Sequence, residues 1–269
     1  MWRATNKLPN VGDPAGAARQ FLLGTSLLGR GLSLVLRRPR LLGLGLVPAL
    51  ISGVLYVVAL ITLIAFLPEL TGAVTWFADS WASGWHDVLR ILAGLALLGA
   101  AALLGVLTFT AVTLLIGDPF YERISSLVEA QYGGVPSGAE VVWWRSLADS
   151  LRLIGLSVLF GAPLFVLGFV PVVGQSVAPV LGVAVGGWLL AVELTGVPFQ
   201  RRGQRLADRR RVLRAHRPLT LGFGVAVFLS FIIPLGAILL MPAAVAGAAL
   251  LARRALGQPI DIMTVRARL

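Results

Sequence analysis

The sequence predicts an all-α integral membrane fold: two long transmembrane helices, two proline-broken and partly penetrating helical hairpins, and amphipathic helices at the interface. Three observations carry that reading. Between residues 153 and 200 the one ionisable side chain is Glu193, and residues 201–217 then hold eight arginines. Apolar runs this long exceed what a soluble domain of modest size hides, whereas a bilayer takes about 20 such residues per spanning helix. The chain is 57% hydrophobic and only 13% charged, with a mean hydropathy of +0.88, far from the composition of soluble domains. Its net charge of +11 gathers at the flanks of the apolar runs, the distribution of a positive-inside membrane protein and not of a nucleic-acid surface.

Taken in order, residues 1–40 form a cytoplasmic or interfacial segment rich in arginine. Arg30 interrupts the apolar 21–36 stretch, which suits an amphipathic helix lying at the interface better than a cleavable signal. The first span is expected over 41–67, with Pro48 as a kink and Pro68 and Glu69 as its end. The loop to Asp87 holds Glu69, Asp79 and Asp87 and no basic residue, which permits it outside, and Trp76, Trp81 and Trp85 suit the headgroup level. A second span over 91–116 returns the chain inside, with Gly94, Gly99 and Gly105 as close-packing points. Residues 117–152 carry mixed charge and read as a cytoplasmic or interfacial helical segment broken at Gly133, Gly134 and Pro136. Trp143 and Trp144 belong at the inner headgroup level.

Two hairpins follow. The runs 153–170 and 177–195 contain Pro163 and Pro179, whose freed carbonyls lipid tolerates only beside protein or a cavity, so this hairpin is expected to be packed in protein. Gly182 and Gly186 form a GxxxG pair, a signal for helix contact. The last apolar region, 219–252, is divided at 233–236 into pieces too short for full crossings, which returns Arg253 and Arg254 to the side of the 201–217 segment. The whole is expected to be a single domain over 1–269: the 1–40 segment, a 41–252 membrane core and a 253–269 cytoplasmic tail. Both termini lie in the cytoplasm and the protein in the plasma (inner) membrane.

Chemistry is sparse. Without cysteine there are no disulfides, iron-sulfur clusters or thiolate metal sites, and His86 and His216 fall in loops on opposite sides. No nucleotide-phosphate loop, zinc motif or nucleophile elbow occurs, so neither cofactor, metal nor enzymatic activity is expected. Glu193 is the intramembrane charge, either functional or paired at the inner interface. Arg201, Arg202, Arg205, Arg209, Arg210, Arg211, Arg214 and Arg217 form a lipid-facing basic loop able to hold anionic headgroups. Arg37, Arg38 and Arg40 immediately precede a span, where guanidiniums and helix-end amides collect an oxyanion or anchor the membrane.

Several strings resemble the CysZ-type sulfate permeases and the related etoposide-induced-protein family. Gly117-Asp118-Pro119-Phe120 with the acidic helix 122–129 is similar to that family's Asp/Asn-Pro-Phe segment. The 174–180 string Gly-Gln-Ser-Val-Ala-Pro-Val is similar to its hairpin turn, Pro198-Phe199 to its next helix end, and Pro234 with Pro242 to its paired prolines. The resemblance covers roughly 21–252. It implies two long helices with two half-crossing hairpins, a homo-oligomer, and uptake of sulfate for cysteine synthesis. The chain departs from the family where its sulfate-binding arginine pair is expected, carrying Leu42 and Gly43, and has Ala237 in place of an asparagine. Two functions follow as expectations: a passive or ion-coupled anion pathway with sulfate as leading solute, or a structural or assembly protein that binds lipids or partner proteins and transports nothing.

Overall fold

The computed structural model describes residues 14–78, 83–134, 143–170, 173–233 and 236–260. Asp79, Trp81, Pro136, Pro234 and the ends 1–13 and 261–269 lie outside the described residues, as do the side chains of Trp143 and Trp144. Helices account for most of the described residues: α1 Pro14–Leu36, α2 Pro39–Ala65, α3 Leu67–Val74, α4 Ser83–Gln131, α5 Trp143–Gly168, α6 Val173–Leu194, α7 Gly196–Gln200, α8 Leu206–Ala215, α9 Arg217–Ile232 and α10 Gly236–Ala255. Five stretches have the length and apolarity to cross a membrane: Pro39–Ala65, Gly84–Gln131, Leu151–Gly168, Gly174–Leu194 and Gly236–Ala255. The all-helical membrane fold read from the sequence therefore stands, and the protein is a multi-pass membrane protein.

The chain divides into two compact units, Met1–Gly45 with Phe120–Leu269, and Leu46–Pro119. In the second unit α2 meets α4 at Tyr56, and the two helices leave Val54, Leu55, Ile61, Leu95, Leu103 and Leu107 exposed, a surface only lipid accommodates. The Tyr56 hydroxyl and Thr108 Oγ1 are 2.6 Å apart, and the Tyr56 ring meets Phe109 edge-on. Gly105 lies against the Tyr56 ring and Gly94 against Thr71 and Leu67, so two of the three glycines expected as packing points are such, while Gly99 faces open space. Tyr56→Phe deletes a membrane hydrogen bond of about 0.6 kcal/mol. Its unfolding midpoint in detergent should move by no more than about 2 °C.

In the first unit α1 packs against α9 and α10 through glycines. A Cβ on Gly24 would lie 2.1 Å from the Leu219 carbonyl oxygen, and one on Gly31 2.2 Å from that of Ala243, so the helix axes approach at backbone distance. The 21–36 stretch is thus a packed helix: Leu27 and Val35 are buried and Arg30 remains exposed. α6 meets α9 the same way, Gly187 on Gly224 and Gly186 under the Phe228 ring, whereas Gly182 touches nothing within 4 Å. The contact pair is therefore Gly186 with Gly187, one step off the GxxxG spacing.

Two expectations are corrected. The 117–131 segment is not separate from the second span: α4 runs unbroken through Pro119 for 49 residues. Beyond that proline, Tyr121, Ile124, Ser125, Val128 and Glu129 recur at helical spacing on one buried face, and Glu122 and Arg123 point outward. Burying that face outweighs the one hydrogen bond the proline removes. Burial in protein, expected for the 153–195 hairpin, is instead greatest in α10, 78% buried, while the apolar window of α5 is only 6% buried. The alanines and glycine at 243–249 let neighbours close around α10. Phe160 and Phe165 of α5, and Phe169 just after it, face outward.

Candidate functional site

Charge in the first unit converges on one buried carboxylate. Glu129 sits in the last turn of α4, on the same face as Ile124, Ser125 and Val128, and is 1% exposed. Arg202, in the turn after α7, approaches it end-on: Nη1 donates to Oε1 at 2.8 Å and Nη2 to Oε2 at 2.7 Å. The planar guanidinium matches the carboxylate plane, the strongest ion-pair geometry proteins use. Arg202 also donates to the Pro198 carbonyl at 2.7 Å and to Gln258 Oε1 at 2.8 Å. From the last turn of α10, Arg253 Nη1 reaches Glu129 Oε2 at 3.3 Å. Its remaining donors go to the carbonyls of Gly134 at 3.1 Å, Pro259 at 3.0 Å and Tyr132, and its guanidinium lies 5.7 Å from the Tyr132 ring centre.

Two guanidiniums thus share one carboxylate away from water, and the backbone around Gly133 and Gly134 wraps the second of them. Gly133 and Gly134 have φ of 96° and 73°, which side-chain-bearing residues rarely adopt, so the turn that presents the Tyr132 and Gly134 carbonyls depends on glycine. The network draws the C-terminal ends of α4, α7 and α10 together.

The residues expected from the sequence are dispersed. Arg37, Arg38 and Arg40 are all exposed where α1 passes into α2. The Arg38 carbonyl accepts the Leu41 and Leu42 N–H groups, so Arg38 caps α2 and Arg40 lies in its first turn. Positive side chains there add to the positive end of the helix dipole, an arrangement that favours an anion over a cation. Glu193 is exposed on α6 and lines a groove of about 730 Å³ whose other walls, among them Leu164, Leu189 and Phe228, are apolar apart from Ser157.

The arginine segment is not a loop. Residues 206–215 are helical, with the Arg205 N–H donating to Asp208 Oδ2 at 3.3 Å, and α8 meets α9 at 105°. Thr220 Oγ1 donates to the Leu213 carbonyl at 3.2 Å and fixes that bend. Of the eight arginines, Arg202 and Arg209 are inside the protein, Arg202 because Glu129 neutralises it and Arg209 because it lies on the face of α8 that carries Leu206 and Leu213. Arg201 is half-buried, and Arg205, Arg211, Arg214 and Arg217 are exposed. Arg210, Arg214 and Arg217 border one cavity with Trp188. A wholly lipid-facing reading of the eight is therefore corrected.

Sequence reasoning passed over Glu129 and Arg253 as sites. A signal existed for Glu129: it is spaced one and five residues after the apolar Val128 and Ile124, on the buried stripe. Arg253 offered none, because Glu129 and the Tyr132 and Gly134 carbonyls that it meets lie far away in the sequence.

The family model described as sulfate transporter CysZ/etoposide-induced protein 2.4 matches residues 27–242. Relatives named sulfate transporter CysZ include one from Pseudomonas fluorescens, 35% identical over 150 residues, which are 53% of this chain and 60% of that protein. Another from Pseudomonas syringae pv. tomato is 31% identical over 173 residues, 62% of this chain and 68% of the relative. One from Vibrio cholerae is 28% identical over 184 residues, 63% and 73% respectively. The matched segment thus spans about three fifths to three quarters of each relative.

Proposed function

Since the chain belongs to the sulfate transporter CysZ/etoposide-induced protein 2.4 family, we propose that it is a passive or ion-coupled anion pathway with sulfate as its solute. What supports the reading is the similarity to relatives named sulfate transporters across 27–242, a range that contains Arg37, Arg38 and Arg40. These three guanidiniums stand exposed at the positive end of α2, where they attract a dianion. They take the place of the arginine pair that Leu42 and Gly43 replace. Helix ends in the proline-broken hairpins supply backbone donors along the path.

The arrangement in the bilayer follows from charge. The 1–40 segment, the arginines of 201–217 and the 253–269 tail stay in the cytoplasm of the plasma (inner) membrane, so α2 crosses outward and α4 returns. The α5–α6 and α9–α10 hairpins each begin and end on the cytoplasmic side. The chain works as one membrane domain, and copies of it assemble into a homo-oligomer.

Labelled sulfate uptake into proteoliposomes tests the function. Wild-type protein should exceed empty vesicles, and the Arg37→Ala/Arg38→Ala/Arg40→Ala variant should lose about tenfold or more of that flux, the scale of electrostatic focusing. Wild-type flux equal to that of empty vesicles removes transport and leaves the scaffold reading. Undiminished flux in the variant moves the anion site elsewhere.

A further inference from the structure

We propose that Arg210, Arg214 and Arg217, with the cavity they border, form a site for one anionic phospholipid. Arg210 and Arg214 are four residues apart on α8 and so share a face. Arg217 opens α9 directly after the 105° bend, which turns the chain so that all three arginines border a single cavity of about 320 Å³. Opposite them stand Trp188 and Leu189 of α6 and Phe160 of α5.

Two features select the ligand. First, no carboxylate lines the cavity, and none pairs with these three arginines among the described residues, in contrast to Arg202 on Glu129 and Arg211 on Asp208. Three unneutralised guanidiniums on one cavity call for a phosphate. Second, the rest of the wall is apolar or aromatic, and Phe160 is 46% exposed on a helix that otherwise presents Val158, Leu159 and Phe165 outward. A free oxyanion gains nothing from such a wall. A phospholipid does: its phosphate meets the arginines, the Trp188 indole takes the headgroup level, and an acyl chain runs down past Leu189 and Phe160. Arginines at the start of an apolar helix, above outward-facing phenylalanines, stand at the depth where lipid phosphates lie.

The site is independent of anion transport, and its test reads binding rather than flux. Native mass spectrometry of delipidated full-length protein, titrated with phosphatidylglycerol or with phosphatidylcholine of the same acyl chains, should show preferential retention of phosphatidylglycerol. With each basic group worth roughly a factor of five near an anionic headgroup, Arg210→Ala/Arg214→Ala/Arg217→Ala should weaken phosphatidylglycerol binding on the order of 100-fold. Arg205→Ala/Arg211→Ala, which removes two exposed arginines outside the cavity, should leave it unchanged. Ala184→Trp, which fills the apolar wall and keeps all three arginines, should also displace the lipid, so a folding defect of the triple variant does not decide the question. Equal binding of phosphatidylcholine, unaltered phosphatidylglycerol binding in both cavity variants, or displacement of phosphatidylglycerol by millimolar inorganic phosphate would each overturn the assignment.

Discussion

Glu129→Gln should lower the unfolding midpoint of the detergent-solubilised protein by on the order of 10 °C, from a loss of about 3–5 kcal/mol. The substitution hardly changes shape. It removes the carboxylate held between two guanidiniums, Arg202 and Arg253, whose side chains are 6% and 4% exposed. An uncompensated buried charge is far costlier than the pair is stabilising. The comparison with Glu129→Leu/Arg202→Met is therefore informative: removing both members of the bidentate pair should cost less than removing Glu129 alone, although Arg253 still holds its backbone carbonyls. Asp208→Asn, which loses an exposed ion pair to Arg211 at 4.0 Å and keeps an amide oxygen for the Arg205 N–H, should shift the midpoint by no more than about 2 °C. Thermal unfolding followed by tryptophan fluorescence checks all three. A Glu129→Gln midpoint within about 2 °C of wild type would contradict the buried network.

Gly224→Val should be the most disruptive single change at the α6–α9 contact, costing about 3 kcal/mol or more. A Cβ there would lie 1.9 Å from the Gly187 carbonyl oxygen, and backbone cannot yield as a side-chain end does. Gly222→Val should behave similarly at the α1–α9 contact, where the Cβ would come 2.0 Å from the Phe21 carbonyl oxygen. Gly182→Ala, with nothing within 4 Å, serves as the control and should be neutral or stabilising by up to about 1 kcal/mol through helix propensity. Size-exclusion profiles and unfolding midpoints separate these outcomes. Wild-type behaviour of Gly224→Val would mean that α6 and α9 do not approach at backbone distance.

The helices were legible where composition alone decides them. The 41–67 run becomes α2 within two residues at either end, because an uninterrupted apolar stretch closed by Pro68 admits little else. Reading failed where a charged residue faces inward. Residues 117–131 looked like an interfacial segment because Glu122, Arg123 and Glu129 were counted together. Only their angular positions separate Glu129, on the stripe of Ile124 and Val128, from the other two, which are exposed. The arginines of 201–217 looked uniform for the same reason. Their division into a buried pair partner, a helix-face residue and a cavity rim is set by tertiary neighbours such as Glu129 and Trp188, far away in the chain. Glycine contacts were half legible: Gly186 was marked by spacing, whereas Gly187 and Gly224 depend on the crossing of two helices.

The enclosure of α10 bears on how the polypeptide is built. With most of its surface covered by protein, and with small side chains such as Ala244, Ala246 and Ala248 in its middle, this segment offers lipid little to hold. In ribosomal order it follows α1 and α9, so the cleft that receives it already exists when it emerges. Insertion of α10 is thus a docking event, and a chain halted before Gly236 would leave the glycine faces of Gly31 and Gly247's partner Leu27 open to chaperones and quality-control proteases.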